Sequence, residues 1–390
     1  MPKVKYMALV ICLVFILAAG RVSARVARDP SRERLENCLD LGFFDYHWTE
    51  LERESGNYLP VLGWRDFLLK AEDGGAKLDP GQIAIGLWRY LAGEVILNIR
   101  LFGQLLFLSV AAAFLKNLET AFGREQVATL TRAIIFVVLI GVVMYSFGSA
   151  LNLARDTVGK MVDFSLALLP TLIALLASLG SLASSAIFHP LVIFTINFFG
   201  TFIRQAILPL ILLSAVLALA NQFSPRIKVG RLADLLRDIS GWGLGLCVTL
   251  FTGIFAVQGV AGTVTDAVSL RAAKYMTTAL VPVVGKMLAD SVETVAGASL
   301  ILKNGIYLAG VAILLLQLIF PLIKLLALIV IYRLTAALVQ PLGETGLGGA
   351  LNALSNCLAL MVAAVAAVSV LFVIAVTAVV GAGNVAVMFR

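Results

Sequence analysis

Residues 304–338 read NGIYLAGVAILLLQLIFPLIKLLALIVIYRLTAAL, and Lys324 and Arg333 are the only charges in that stretch. As a helix rising 1.5 Å per residue it would be roughly 52 Å long, against a hydrocarbon core of about 30 Å. Only helices and closed barrels satisfy their backbone groups inside lipid, so the stretch reads as a transmembrane helix. Pro321 near its middle lacks the N–H that a continuous helix needs, which predicts a kink or break there.

Working outward, further apolar runs stand at Val95 to Leu115, Ala133 to Leu151, Phe164 to Phe188, Leu191 to Ala220, Trp242 to Gly262 and Leu351 to Val380. The run from Leu191 is also too long for one straight crossing, and it carries Pro209 near its middle, a second predicted kink of the kind that lines cavities in transport proteins. Composition agrees, with 60% of the 390 residues hydrophobic and 14% charged. That balance lies outside the range of soluble domains and gives an all-α, polytopic helical membrane protein.

At the N-terminus Lys3 and Lys5 precede the apolar run Met7 to Ala19, and Val22-Ser23-Ala24 follows as a small-residue cleavage site. This layout predicts a cleaved secretory signal peptide over 1–24, since about 13 apolar residues are short for a span. Residues 25–90 then form a small extracytoplasmic head holding three of the four tryptophans, with 9 basic and 12 acidic residues. Aromatic and acidic residues interleave there at Phe43 to Trp48 and at Trp64 to Phe67, which suits either a docking surface or amphipathic helices on the membrane interface. From Leu91 to Arg390 the count is 18 basic and 11 acidic. That excess fits topology signals and not a basic, aromatic-rich nucleic-acid surface. After cleavage Cys38, Cys247 and Cys357 remain, an odd number without paired spacing, so buried thiols are expected and not a disulfide framework.

The positive-inside rule puts the loop with Lys116, Arg124 and Arg132 in the cytoplasm, and likewise the basic loop Arg226, Lys228, Arg231 and Arg237. Counting seven crossings strands the second loop outside. Treating Phe164 to Phe188, interrupted by Pro170 and Gly180, as a re-entrant element restores it. Phrases also recur: ILPLI at 207–211 resembles IFPLI at 319–323, and VGKM occurs at 158–161 and again at 284–287. The order suggests a duplicated membrane unit. The resulting plan is 1–24 signal peptide, 25–90 head, 91–157 two transmembrane helices, 158–262 first membrane unit and 263–390 second.

Lys286, Asp290 and Glu293 stand at i, i+4 and i+7 on one helical face, flanked by small residues. Ionisable groups at membrane depth face water or each other, so this face suits a pore lining, a helix-packing face, or an ion pair at the interface. Catalytic signals are missing: the GK pairs lack the rest of a phosphate loop, the histidines His47 and His189 are far apart, and no nucleophile elbow occurs. The reading is a non-enzyme with no cofactor and no metal.

The phrases GKMLADSVETVAGASLILKNGI (285–306), FPLIKLLALIVIYRLTAALVQPLG (320–343), AIFHPLVIFT (186–195) and SPRIKVGRLADLLRDI (224–239) resemble the stage III sporulation protein AE family of endospore-forming bacteria. The resemblance implies a channel or secretion-like apparatus between mother cell and forespore, needed for forespore development and late forespore gene expression. It implies a place in the mother-cell membrane surrounding the forespore. Its implied partners are other membrane proteins of the same operon, including a separate ATPase and ring-forming subunits, a forespore-side partner and the lipid bilayer, with no nucleic acid. From the residues alone, the proline-broken helices and the repeat leave a secondary transporter or permease as the alternative.

Overall fold

A computed structural model describes residues 42–55, 80–122, 125–179, 182–223, 229–280, 284–342 and 345–388, and for some helical stretches, 259–280 and 284–298 among them, the backbone alone. The signal peptide at 1–24, Cys38, the aromatic group at Trp64 to Phe67, and Arg226 and Lys228 lie outside these residues. Among the described residues nine α-helices follow one another: α1 (Gly42–Ser55), α2 (Pro80–Leu97), α3 (Ile99–Phe122), α4 (Glu125–Ser178), α5 (Leu182–Phe202), α6 (Leu208–Phe223), α7 (Gly230–Leu280), α8 (Val284–Val339) and α9 (Thr345–Met388). Among the described residues there is no strand.

Among the described residues five stretches are long and apolar enough to cross a membrane: Ile134–Ser178, Ser185–Asn221, Gly230–Gln258, Leu302–Leu342 and Gly346–Gly381. A sixth arises if Ile85–Leu97 and Ile99–Phe114, bent by 51° at Asn98, count as one broken span. The protein is therefore all-helical with the make-up of a multi-pass membrane protein. Five such stretches, or six with the bent pair, stand against the seven apolar runs of the sequence because two runs share one helix.

That helix is α4, and it corrects the re-entrant expectation. The polar stretch Asn152 to Asp163 between the two runs holds no proline and only one glycine, so nothing breaks the backbone, and the first half of Phe164 to Phe188 simply continues α4 to Ser178. Pro170 sits inside it, exposed, without ending it. Helix α5 then begins at Leu182. The borders drawn at 157/158 and 262/263 fall inside α4 and α7 and coincide with no helix end.

The two proline expectations resolve differently. Pro209 follows a π-helical turn, Ile203–Ile207, in which the Leu208 N–H reaches back to the Ile203 carbonyl. A proline at 209 has no N–H for the carbonyl four residues earlier and its ring crowds that carbonyl, so the preceding turn widens. Pro321 is carried inside α8 without interrupting it. Its missing N–H leaves the main-chain carbonyl of Gln317 without its helical partner.

The helices pack around α9, which touches α4, α6, α7 and α8. Between α8 and α9, Lys303 Nζ donates to the Val380 carbonyl at 2.9 Å, Tyr307 pairs with Thr377 at 3.1 Å, and Arg333 Nε donates to Ser355 Oγ at 2.9 Å. Between α4 and α8, Tyr332 hydrogen-bonds Ser146, and higher up Gly310 faces Leu168 so closely that an added methyl would lie 2.7 Å from its Cδ2. Without a hydrophobic driving force between helices in lipid, such polar ties and close small-residue contacts fix the register. Cys247 and Cys357 are buried free thiols.

Candidate functional site

The middle of α4 carries Arg155, Asp156, Lys160 and Asp163 between two apolar halves. Asp156, Lys160 and Asp163 stand at i, i+4 and i+7, one face of a helix. That face looks into a cavity of about 380 Å³ lined by Glu50 and Leu51 of α1, Leu153, Asp156, Thr157, Gly159, Lys160 and Asp163 of α4, Arg204 of the π turn, and Gln317 and Pro321 of α8. Five ionisable side chains thus gather at the polar middle of α4.

Each backbone irregularity serves this place. The widened turn before Pro209 carries Arg204, whose guanidinium lies against Gly159, where a Cβ would come within 3.3 Å of Nη1. Pro321 forms part of the wall. Gln317 is 5% exposed, and its Oε1 has no hydrogen-bond partner while its Nε2 lies 3.4 Å from His47 Nδ1. An unsatisfied buried carbonyl oxygen costs about 1–3 kcal/mol, so its presence beside charged groups marks a place where water or a ligand belongs.

The head helix α1 closes one side. Phe44, Trp48 and Leu51 are buried against the bundle, Phe44 and His47 meet Phe164 edge-on at 6.0 and 5.0 Å, and Glu50 pairs with Lys160 at 2.8 Å. Of the aromatic group at Phe43 to Trp48, Phe44 and Trp48 thus face the bundle, while Tyr46 stays exposed. The apolar face of α1 is used inside the molecule, because burying each such ring is worth roughly 1.5–3 kcal/mol. Burial holds the His47 imidazole below its ordinary pKa, against the upward pull of Glu50 and Asp163 and with Lys160 acting in the same direction as burial. It is neutral around pH 7 and adds no charge to the cleft.

The residues singled out from the sequence spread out. Pro321 reaches the cleft and Pro209 shapes it from α6. Lys286, Asp290 and Glu293 fall in the first turns of α8, with side chains outside the described residues. Arg231 and Arg237 begin α7, where Arg237 pairs with Asp234 at 3.0 Å. The cleft itself was missed, although Asp156, Lys160 and Asp163 repeat the spacing noticed at Lys286, across the earlier VGKM phrase at 158–161. Among the described residues no three His, Cys, Asp or Glu side chains gather closely enough to hold a metal ion.

No solved structure matches the chain. Its sequence is 37% identical over 358 residues to the stage III sporulation protein AE of Bacillus subtilis (strain 168), covering 92% of this chain and 90% of that one. The family model for stage III sporulation protein AE matches residues 62–383, which include α4, the π turn and the α8 wall of the cleft. An all-helical membrane bundle with a charged cleft thus belongs to the stage III sporulation protein AE family.

Proposed function

We propose that this chain is a membrane component of a mother cell–forespore channel or secretion-like apparatus that sustains forespore development and late forespore gene expression. The observation that carries the reading is the family match across nearly the whole bundle, and the charged cleft supports it by offering a polar locus inside an apolar body. The chain lies in the mother-cell membrane surrounding the forespore, after removal of a signal peptide. With the head outside, six crossings bring the linker between α6 and α7, which holds Arg226 and Lys228, to the cytoplasmic side, as the positive-inside rule wants. The chain itself is not an enzyme. Energy comes from a separate ATPase of the same operon, and ring-forming subunits and a forespore-side protein complete the conduit.

A secondary transporter is the second reading, favoured by the meeting of a π turn and a proline-bearing helix at the cleft. Deleting the gene in the native host separates the two. A conduit component gives normal vegetative growth, completed engulfment, then small forespores and a silent late forespore reporter. Normal spores, or a defect in growing cells, would sink the sporulation reading.

A further inference from the structure

Helix α5 and the π turn that follows it carry a face with no counterpart inside the bundle. Their inner side is closed: a Cβ at Gly200 would lie 2.5 Å from Val162 Cγ2 of α4, and Phe199 meets Phe251 of α7 edge-on at 5.4 Å. On the outer side two ladders run at i, i+4 and i+8. Phe194, Phe198 and Phe202 are 67%, 51% and 38% exposed and stack ring on ring, with centroids 5.8 and 6.3 Å apart. Beside them Asn197, Thr201 and Gln205 are exposed as well. Four residues advance a helix by little more than one turn, so each ladder is a continuous ridge along one side.

The polar ridge is left largely unbonded within the chain. Asn197 gives one N–H to the Ile193 carbonyl at 2.9 Å, which leaves its Oδ1 and second N–H open. Among the described residues Thr201 and Gln205 side chains have no hydrogen-bond partner. The ridge occupies the middle of the apolar stretch Ser185–Asn221, which has 37 residues. About 20 residues cross the hydrocarbon, and any such window within that stretch contains at least one of the two amides. An unpaired amide in hydrocarbon is costly, and acyl chains offer neither donor nor acceptor. The ridge therefore fits a protein surface and not lipid.

The chemistry of the ridge selects its partner. Side-chain amides and a hydroxyl both donate and accept, so the ridge complements a copy of itself, and it carries no charge that would call for an opposite one. Arg204, the only Lys, Arg, Asp or Glu in Ser185–Asn221, is turned away, with its guanidinium against Gly159 of α4. Hydrogen bonds between Asn and Gln side chains join helices within membranes. Copies inserted the same way round are related by a two-fold axis along the membrane normal, which brings each residue near its own twin. We propose that two copies of this chain pair in the membrane through this face, with Asn197, Thr201 and Gln205 bonding across the axis and the phenylalanine ladders packing on either side. The pairing is a property of the chain alone and stands apart from the sporulation reading.

The test uses the purified full-length protein, diluted in phosphatidylcholine vesicles, with the native cysteines replaced and one new cysteine at a time. Under copper phenanthroline oxidation Asn197→Cys and Thr201→Cys should each form a disulfide-linked dimer, whereas Leu250→Cys, 50% exposed on α7, should stay single. Light scattering of the parent in mild detergent should give the mass of two chains. The Asn197→Leu/Thr201→Val/Gln205→Leu variant should give the mass of one, its self-association weakened by about tenfold or more. All three positions are exposed, so this variant should melt as the parent does. A parent that is a single chain in both detergent and vesicles would overturn the pairing. So would Leu250→Cys linking as fast as Thr201→Cys, a dimer that survives the apolar variant, or, in native membranes, Thr201→Cys linking to another protein and not to itself.

Discussion

Replacing Lys303 by glutamate should prevent most of the protein from reaching its folded form. Lys303 is 1% exposed, at the start of the most apolar part of α8, and its Nζ donates to the Val380 carbonyl near the end of α9. A carboxylate there would face an acceptor with no donor between them, and leaving a buried charge without its partner costs about 3–5 kcal/mol. Total stabilities are themselves about 5–15 kcal/mol, so that loss removes a large share. Lys303→Met keeps the length and apolar stem and should cost about 1–3 kcal/mol for the abandoned carbonyl. Size-exclusion profiles and melting in detergent check this: the glutamate variant should aggregate, the methionine variant should stay monodisperse and melt earlier. A glutamate variant that melts with the parent would show that the contact between α8 and α9 does not hold the bundle.

The second large effect is expected at Gly159, and it should be functional. A methyl group there would lie 3.3 Å from Arg204 Nη1, the far end of a flexible side chain, so Gly159→Leu displaces the guanidinium from its place against α4. Because the arginine can swing away, the fold should survive with a cost at the low end of the roughly 1–3 kcal/mol typical of overpacking. A positioned site that moves by an ångström can lose on the order of 100-fold in activity, and a fall of about that size in heat-resistant spores is expected with membrane levels unchanged. Gly159→Ala should be milder. Full spore counts from a normally inserted Gly159→Leu protein would mean that Arg204 need not sit in the cleft.

Much of the bundle was legible because lipid imposes one rule on every span, and runs such as 304–338 have no soluble alternative. The number of crossings was not, since the apolar periodicity of α4 stops at Leu151 and resumes at Phe164. Hydropathy reads the polar turn between them as a loop, whereas the backbone sees helix-forming residues and no breaker. Pro209 and Pro321 were legible as irregularities, but their consequences differ. A proline only deletes a hydrogen bond, and neighbouring helices decide whether the turn widens, as before Pro209, or closes up, as around Pro321. The aromatic face of α1 was visible as amphipathic. Its partner was not, because Phe164 and Gln317 lie over a hundred residues away in sequence. The cleft joins Glu50, Lys160, Arg204 and Gln317, each of which alone reads as a lone polar group that could reach the headgroups.

The most direct test of a hydrated, charged cleft inside this bundle is cysteine labelling in intact cells, with Cys38, Cys247 and Cys357 first replaced. Single cysteines at Asp156 and Asp163 should react with a small, impermeant thiol reagent applied from outside, while cysteines at the buried Phe147 and Leu168 of the same helix should not. A cysteine at Val229, beside the basic linker, should react only after the cells are permeabilised. Protection of Asp156 and Asp163 together with ready labelling of Val229 in intact cells would contradict both the water-filled cleft and the orientation that six crossings give.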